Sequence, residues 1–169
     1  MADKVLVTYS SKHGATAEIA EKIGEILKAT GLEADVKDVK QAGDPSGYKA
    51  AVVGSAAYMG RWRGDIVKYL KNNTSKLAGM PVWLFMSGPS GKGDPTELLK
   101  GVIYPPGLKP VIDAVKPRDV KPFHGDTSAS RFSGWEKWIM KRVGSDADDF
   151  RDWNMITEWA QNIAGELKK

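Results

Sequence analysis

The sequence predicts an α/β fold: an open, parallel, five-stranded sheet covered by helices on both faces, three layers in all. Three observations carry this expectation. Short apolar runs alternate with stretches whose apolar residues recur at helical spacing. Five such runs occur in 169 residues, interleaved with helical segments as crossover connections require. There is neither an internal repeat nor a linker-like break, so the expectation is one domain over 1–169.

The first run, Lys4 to Thr8, is short and rich in Val, as a strand buried on both faces should be. A helix follows over Ala15 to Ala29. Ile19, Ala20, Ile23, Ile26 and Leu27 fall on one face, Glu18, Glu21, Lys22, Glu25 and Lys28 mostly on the other, and Gly31 stands where a helix stop belongs. Glu33 to Lys37 reads as the second strand, and Asp44-Pro45-Ser46-Gly47 as a turn. Ala50 to Gly54 reads as the third strand, Ile66, Val67, Leu70 and Leu77 mark a second helix, and Pro81 to Met86 is a fourth, continuously apolar strand. Ser87 to Pro110 is mostly loop, with a short helix near Glu97-Leu98-Leu99. Another helical piece lies at Val111 to Val115. Val120 to His124 is the fifth strand. Trp153, Ile156, Trp159, Ala160, Ile163 and Leu167 place the last helix from Trp153 to Leu167.

Composition excludes several chemistries. Hydrophobic residues make up 41% and charged residues 27%, a balance that argues against long disorder. The absence of cysteine removes disulfides, thiolate metal sites, iron–sulfur clusters and Cys nucleophiles. With only His13 and His124 as imidazoles, a His-rich metal site is also out. Redox chemistry would therefore need a borrowed cofactor. No apolar run of about 18 residues exists, and the N-terminus lacks signal-peptide features, so the expected location is the cytoplasm. The net charge of +4 fits either an anionic ligand, partner or membrane surface, or a merely basic soluble protein. No nucleic-acid partner is expected.

In a sheet of this kind ligands sit beyond the carboxyl ends of the strands, near the switch in strand order. The loops to search are Ser10–Thr16, Ser55–Arg63 and Ser87–Asp94. The first joins a buried strand to a helix start, with Ser10, Ser11 and Thr16 around Gly14. Unpaired amides in the first helical turn, with a dipole contribution of roughly 0.3–1 kcal/mol, suit a phosphate there. A plain Ser/Thr/Gly helix cap is the competing reading. The G-x-G-x-x-G and Walker patterns are both absent, as are the acidic residues of a receiver domain.

The run Tyr9-Ser10-Ser11-Lys12-His13-Gly14-Ala15-Thr16-Ala17-Glu18-Ile19-Ala20 resembles the flavodoxin phosphate loop. The resemblance implies a flavodoxin-like fold, FMN as cofactor, and Ser10, Ser11, Lys12, His13, Gly14, Ala15 and Thr16 around the phosphate. Lys12 and His13 depart from the small or hydroxyl residues common in that family. In the second loop, Ala56, Ala57, Tyr58, Met59, Gly60 and Trp62 are the candidates to hold the flat flavin ring. Tyr58 and Trp62 are candidates for stacking; Trp62 packing inward is the alternative. Arg61 or Arg63 could meet a phosphate or an acidic substrate, or be solvated. The resemblance carries Ser87, Gly88 and Pro89 to the pyrimidine edge of the flavin. His124 could reach the cofactor or a substrate, or serve as a structural residue. With no acid–base or nucleophile set to assemble, no catalytic side chain is named and the flavin would carry the chemistry.

Gly125 to Ser145 reads as a helical insertion after the fifth strand. Within it Trp135, Trp138, Ile139 and Val143 share one face, and Arg131, Lys137, Lys141 and Arg142 add charge. Residues 131–142 could make peripheral contact with an anionic membrane or cover an aromatic substrate, or they could pack on the sheet. The whole chain is similar to the flavodoxin-domain family that includes the menaquinone-dependent protoporphyrinogen dehydrogenases, which also carry an insertion near the fifth strand. The matching stretch is Gly144 to Leu167, with Asp149-Phe150-Arg151-Asp152-Trp153 and Trp159, while the insertion itself differs in sequence. That resemblance implies an FMN-dependent oxidoreductase of heme biosynthesis, oxidising a porphyrinogen with a quinone as acceptor. The alternatives are a soluble electron carrier serving a redox partner protein, and a quinone-stress or regulatory flavoprotein.

Overall fold

A computed structural model describes residues 4–12, 14–58, 61–88, 104–125 and 151–169, apart from the side chain of Tyr58. The expected short helix near Glu97 and the insertion over 126–145 lie outside the described residues.

Five parallel strands form the sheet: β1 (Lys4–Ser10), β2 (Glu33–Asp38), β3 (Ala50–Tyr58), β5 (Val82–Ser87) and β6 (Asp119–Phe123). Their order is β2-β1-β3-β5-β6. A two-residue strand, β4 (Arg61–Trp62), pairs antiparallel with the end of β3. The order reverses beside β1, with β2 on one side and β3 on the other. The crevice between the loops leaving β1 and β3 is therefore the switch point, where the fold exposes strand ends and helix amides together.

Alternation along each strand sends successive side chains to opposite faces. Val5 and Val7 join Val52, Trp83 and Phe85 beneath helices α1 (Ala15–Ala29) and α6 (Trp153–Leu167), which contribute Ile19, Ile23, Ile156, Trp159 and Ile163. Leu6 joins Val53, Leu84 and Met86 on the other face. There Ile66, Leu70, Leu77, Val111 and Val115 come from α3 (Gly64–Asn72), α4 (Thr74–Leu77) and α5 (Lys109–Val115). A short helical turn, α2 (Val39–Ala42), adds Val39 and Ala42 to the same face. Both faces are covered, and so the central strands read as unbroken apolar runs.

Most boundaries shift by one or two residues from the sequence expectation, and two differ in substance. The third strand runs on to Tyr58, so Ser55, Ala56 and Ala57 are strand residues; Ser55 pairs with Ser10 and Met86, and Ala56 with Ser87. Ser55 is paired on both sides and Ala56 and Ala57 each to one neighbouring strand, and that pairing outweighs their weak strand preference. The second helix breaks at Asn73, whose backbone leaves the helical region before Thr74 starts a new turn.

Candidate functional site

The buried polar residues gather at one end of the molecule. Thr8, Ser10, Thr16, Ser55, Ser87 and His124 are all buried. They come from the carboxyl-terminal parts of β1, β3 and β5, the residue after β6, and the first turn of α1. Burying hydroxyls costs free energy unless they are paired, and here most of them are tied to one another or to the loops.

At the end of β1 the chain turns through Ser11 and Lys12 to Gly14. Gly14 has φ of +90°, a left-handed conformation that costs glycine little and other residues more. Ser11 Oγ accepts from Gly14 N at 3.0 Å, and the first helical bond runs from Glu18 N to Gly14 O at 3.1 Å. The amides of Ala15, Thr16 and Ala17 thus have no acceptor one turn back in the helix. No side chain caps this end. Ser11, Gly14, Ala15 and Thr16 are brought together at the mouth of the crevice; Lys12 beside them is exposed. His13 lies outside the described residues.

Two polar clamps flank the turn, one on each face of the sheet. On the α3 face, Arg63 Nε donates to Ser10 Oγ at 2.7 Å, and Ser10 Oγ donates to Asp65 Oδ1. Asp65 Oδ1 also accepts from Ile66 N at 2.8 Å, and Ser55 Oγ accepts from Arg63 N at 3.0 Å. On the α1 face, Thr16 and Ser87 share a buried hydroxyl–hydroxyl hydrogen bond of 2.6 Å, which joins the first loop to the third. Gly88 N donates to Phe123 O at 3.3 Å.

The second loop divides. Ala56 and Ala57 sit half-buried at the end of β3. Tyr58 has its backbone in β3, while Met59, Gly60 and, in the third loop, Pro89 lie outside the described residues. Trp62, considered above for stacking, is 6% exposed and packs among Val53, Ile66 and Leu70, because pairing of β4 with Ala57 turns it inward. The ring face is committed to the core. Its Nε1, however, is buried without an acceptor, one of two such side-chain atoms among the described residues, the other being Thr8 Oγ1.

Sequence reasoning gave no role to the side chains of Ser55, Asp65 and Arg151. A hydroxyl ending the apolar run Val52-Val53-Gly54-Ser55 was the available signal for the first. Arg151, with its side chain 5% exposed, pairs with Glu18 at 3.2 Å and stacks 4.7 Å over Trp153, fastening the start of α6 to the first turn of α1. Beside the site, burial holds the Tyr9 hydroxyl above its ordinary pKa, with the carboxylates of Asp38 and Glu21 adding to it.

The residues present suit a phosphate ester carrying a polar chain. First-turn amides without a helical acceptor and a left-handed glycine leave backbone room for the anion. Among the described residues, no group of three or more His, Cys, Asp or Glu could hold a metal ion. Nor is any helix among them long and apolar enough to cross a membrane.

Comparison with known proteins agrees with this fold. Residues 6–154 match the family described as Flavodoxin domain. Over 80 residues the chain is 30% identical to protoporphyrinogen IX dehydrogenase (quinone) of Escherichia coli. That stretch is 46% of this chain and 44% of the relative, so less than half the relative's length is matched. The fold is similar to that of a flavodoxin from the domain Archaea, at 14% identity and a TM-score of 0.63, covering 98% of this chain and 99% of that one. It is also similar to part of a rubredoxin oxygen:oxidoreductase from Desulfovibrio gigas, at 16% identity and a TM-score of 0.62, covering 99% of this chain and 36% of that one.

Proposed function

The chain belongs to the flavodoxin-domain family, whose cofactor is FMN, and from that premise we propose that it is an oxidoreductase that oxidises a reduced porphyrinogen-class substrate and delivers the electrons to a quinone. The observation that carries the reading is the junction of β1 and α1 at the switch point, where left-handed Gly14 leads into three amides with no helical acceptor. The phosphate of FMN would rest on the amides of Ala15 and Thr16 and the hydroxyl of Ser11. Ala56, Ala57, Ser87 and Gly88 would border the ribityl chain and ring, mainly through backbone groups, with Lys12 at the solvent side. His13, Tyr58, Met59, Gly60 and Pro89 complete the proposed set. Bound there, FMN supplies the redox capacity that a cysteine-free chain does not hold in its own side chains.

The substrate class is supported by the similarity to the Escherichia coli dehydrogenase. The excess of positive charge, +4 overall, is consistent with it, since porphyrinogens carry carboxylates. The protein's own contribution is to hold the ring against the strand ends and keep water from its buried side. The insertion over 131–142 is proposed to contact the substrate or the membrane surface from which a quinone is drawn.

The experiment is anaerobic oxidation of protoporphyrinogen by the FMN-loaded protein with a soluble menaquinone analogue, followed by porphyrin fluorescence. FMN-dependent turnover is expected. Stoichiometric FMN with no porphyrinogen oxidation would overturn the substrate and leave electron transfer to a redox partner protein. A colourless protein that ignores added FMN would overturn the whole reading.

A further inference from the structure

We propose that Arg63 is the charge-supplying, phosphate-selecting residue of the flavin site. The inference rests on the FMN reading above and concerns which part of the ligand the protein recognises by charge. The amides and hydroxyls of the turn are neutral and its Lys12 is exposed to water, which screens its charge, whereas a phosphate monoester brings close to two negative charges at neutral pH. Some cation close to the turn would discriminate FMN from unphosphorylated riboflavin.

Arg63 is the residue the fold aims there. Its main-chain N–H is held by Ser55 Oγ at 3.0 Å and its Nε by Ser10 Oγ at 2.7 Å, so backbone and side chain are pinned to the ends of β3 and β1 on both sides of the switch crevice. Ser10 leads directly into the turn of Ser11–Gly14. Ser10 in turn donates to Asp65, which is also held by Ile66 N, so the clamp is oriented from the first turn of α3. Among the described residues, Nε is the one nitrogen of the Arg63 guanidinium with a partner. Its two Nη groups have no acceptor among the described residues, and no carboxylate lies within 4.0 Å of them. Arg63 is half-buried, whereas Arg61 two residues earlier is exposed. An arginine fixed by one edge, partly removed from water and without a counter-ion has its fork left for an arriving anion, and planar two-point recognition of phosphate is what that group does best. The nearby carboxylate of Asp65 is occupied by Ser10 and Ile66. It therefore positions the arginine through the serine without neutralising it directly.

The test uses the full chain and two ligands that differ only by the phosphate. FMN and riboflavin dissociation constants are measured by flavin fluorescence quenching for wild type, Arg63→Gln and Arg63→Lys, at low and high salt, with a thermal melt of each variant. Charge-assisted hydrogen bonds correspond to roughly 10- to 150-fold in affinity. Arg63→Gln should weaken FMN binding by that factor, change riboflavin binding less than about twofold, and flatten the salt dependence of FMN binding. Arg63→Lys, which keeps the charge and loses the fork, should fall between the two and still prefer FMN. It tests selectivity even if the Gln variant melts early. Parallel weakening of both flavins would overturn the proposal and make Arg63 a structural strut. Unchanged FMN affinity would overturn it too, and a raised KM for a carboxylate-bearing substrate would then assign the arginine to that substrate. A wild type that binds neither flavin would overturn the FMN reading itself, whereas wild type binding FMN and riboflavin equally would overturn only the role of Arg63.

Discussion

Gly88→Ala should be among the costliest single-methyl additions to this protein, and no trimming of a neighbouring side chain should repair it. A Cβ at Gly88 would stand 2.3 Å from the carbonyl oxygen of Ala57 and 3.1 Å from its carbonyl carbon. Contact becomes ordinary at 3.4 Å, so the backbones of the second and third loops would have to part by about 1 Å. Neither is free to do so. Gly88 N is bonded to Phe123 O, the Gly125 backbone closes on Gly88 from the other side, and Ala57 is paired to Trp62. Overpacking of this kind costs about 1–3 kcal/mol. Because the obstacle is backbone, the upper half of that range applies, which for a domain of this size lowers Tm by about 5–10 °C. FMN affinity should fall by about tenfold or more, since the displaced segments border the proposed ring site. Gly54→Ala is the instructive contrast. Its Cβ would lie 2.0–2.4 Å from three ring atoms of Phe85, an equally severe overlap, but with a side chain. Phe85→Leu removes those atoms, so Gly54→Ala and Phe85→Leu should couple favourably by at least about 1 kcal/mol in a double-mutant cycle, while Gly88→Ala and Ala57→Gly should simply add. The assay is urea unfolding of all six variants, with FMN titration alongside. A Gly88→Ala protein within about 0.5 kcal/mol of wild type, or one restored by Ala57→Gly, would refute the claim that backbone closure sets this edge.

Three further outcomes are expected. Thr16→Val strands Ser87 Oγ, its 2.6 Å partner, in a buried position, at a cost of about 1–3 kcal/mol that Thr16→Val/Ser87→Ala should largely recover; equal stability of the single and double variants would count against the clamp. Trp62→Phe removes a buried donor that has no acceptor, so the apo protein should hold its stability or gain, while FMN binding weakens more than riboflavin binding; equal destabilisation with and without flavin would remove the indole N–H from the site. Burial, reinforced by Tyr48 and Asp44, pushes the Tyr69 hydroxyl up to about 12 from 10.0, where the unfolded chain titrates. Between those values the unfolded state gives up its proton first, so the stability this tyrosine contributes is complete below pH about 10 and is lost as pH rises towards 12. Tyr69→Phe should flatten that alkaline decline in chemical denaturation.

Much of the fold was legible because period alone determines which faces are buried. Helix α1 spans the predicted Ala15–Ala29 and the last helix the predicted Trp153–Leu167. The extent of β3 was not legible. Gly54-Ser55-Ala56-Ala57 has the composition of a loop, and only the pairing of Ser55 with Ser10 and of Ala56 with Ser87 makes it strand. Tertiary pairing outweighs local preference there. The orientation of Trp62 was equally hidden, since spacing does not tell a ring on a ligand from a ring in the core, and the short antiparallel pairing of β4 decides it. The turn from Ser10 to Thr16 could be singled out as a candidate because all its parts are neighbours in the chain. The clamps could not, because Ser10 is 53 residues from Arg63 and 55 from Asp65, and Thr16 is 71 from Ser87.

Those long-range clamps explain why hydroxyls stand where a stable sheet would favour apolar side chains. Alternation assigns Ser10 and Ser55 to the α3 face and Ser87 to the α1 face, so no single pocket wall needs all three. Each face solves its own polar burial, one with an arginine and an aspartate, the other with a threonine. The solutions differ in what they leave over. The α1 face closes on itself, since Thr16 and Ser87 can satisfy each other. Among the described residues the α3 face leaves two guanidinium nitrogens and an indole N–H, all donors, and one unpaired buried hydroxyl, Thr8 Oγ1, that could accept. These donors, together with the three first-turn amides of α1 that have no helical acceptor, make a hydrogen-bond inventory that an acceptor-rich anion would complete. A neutral ligand would leave the guanidinium uncompensated, and a cation would be repelled by it. In the proposed site that imbalance would select for charge at one end of the ligand and leave the backbone of β3 and the third loop for its flat remainder. That division of labour fits a phosphorylated flavin better than any unphosphorylated ring.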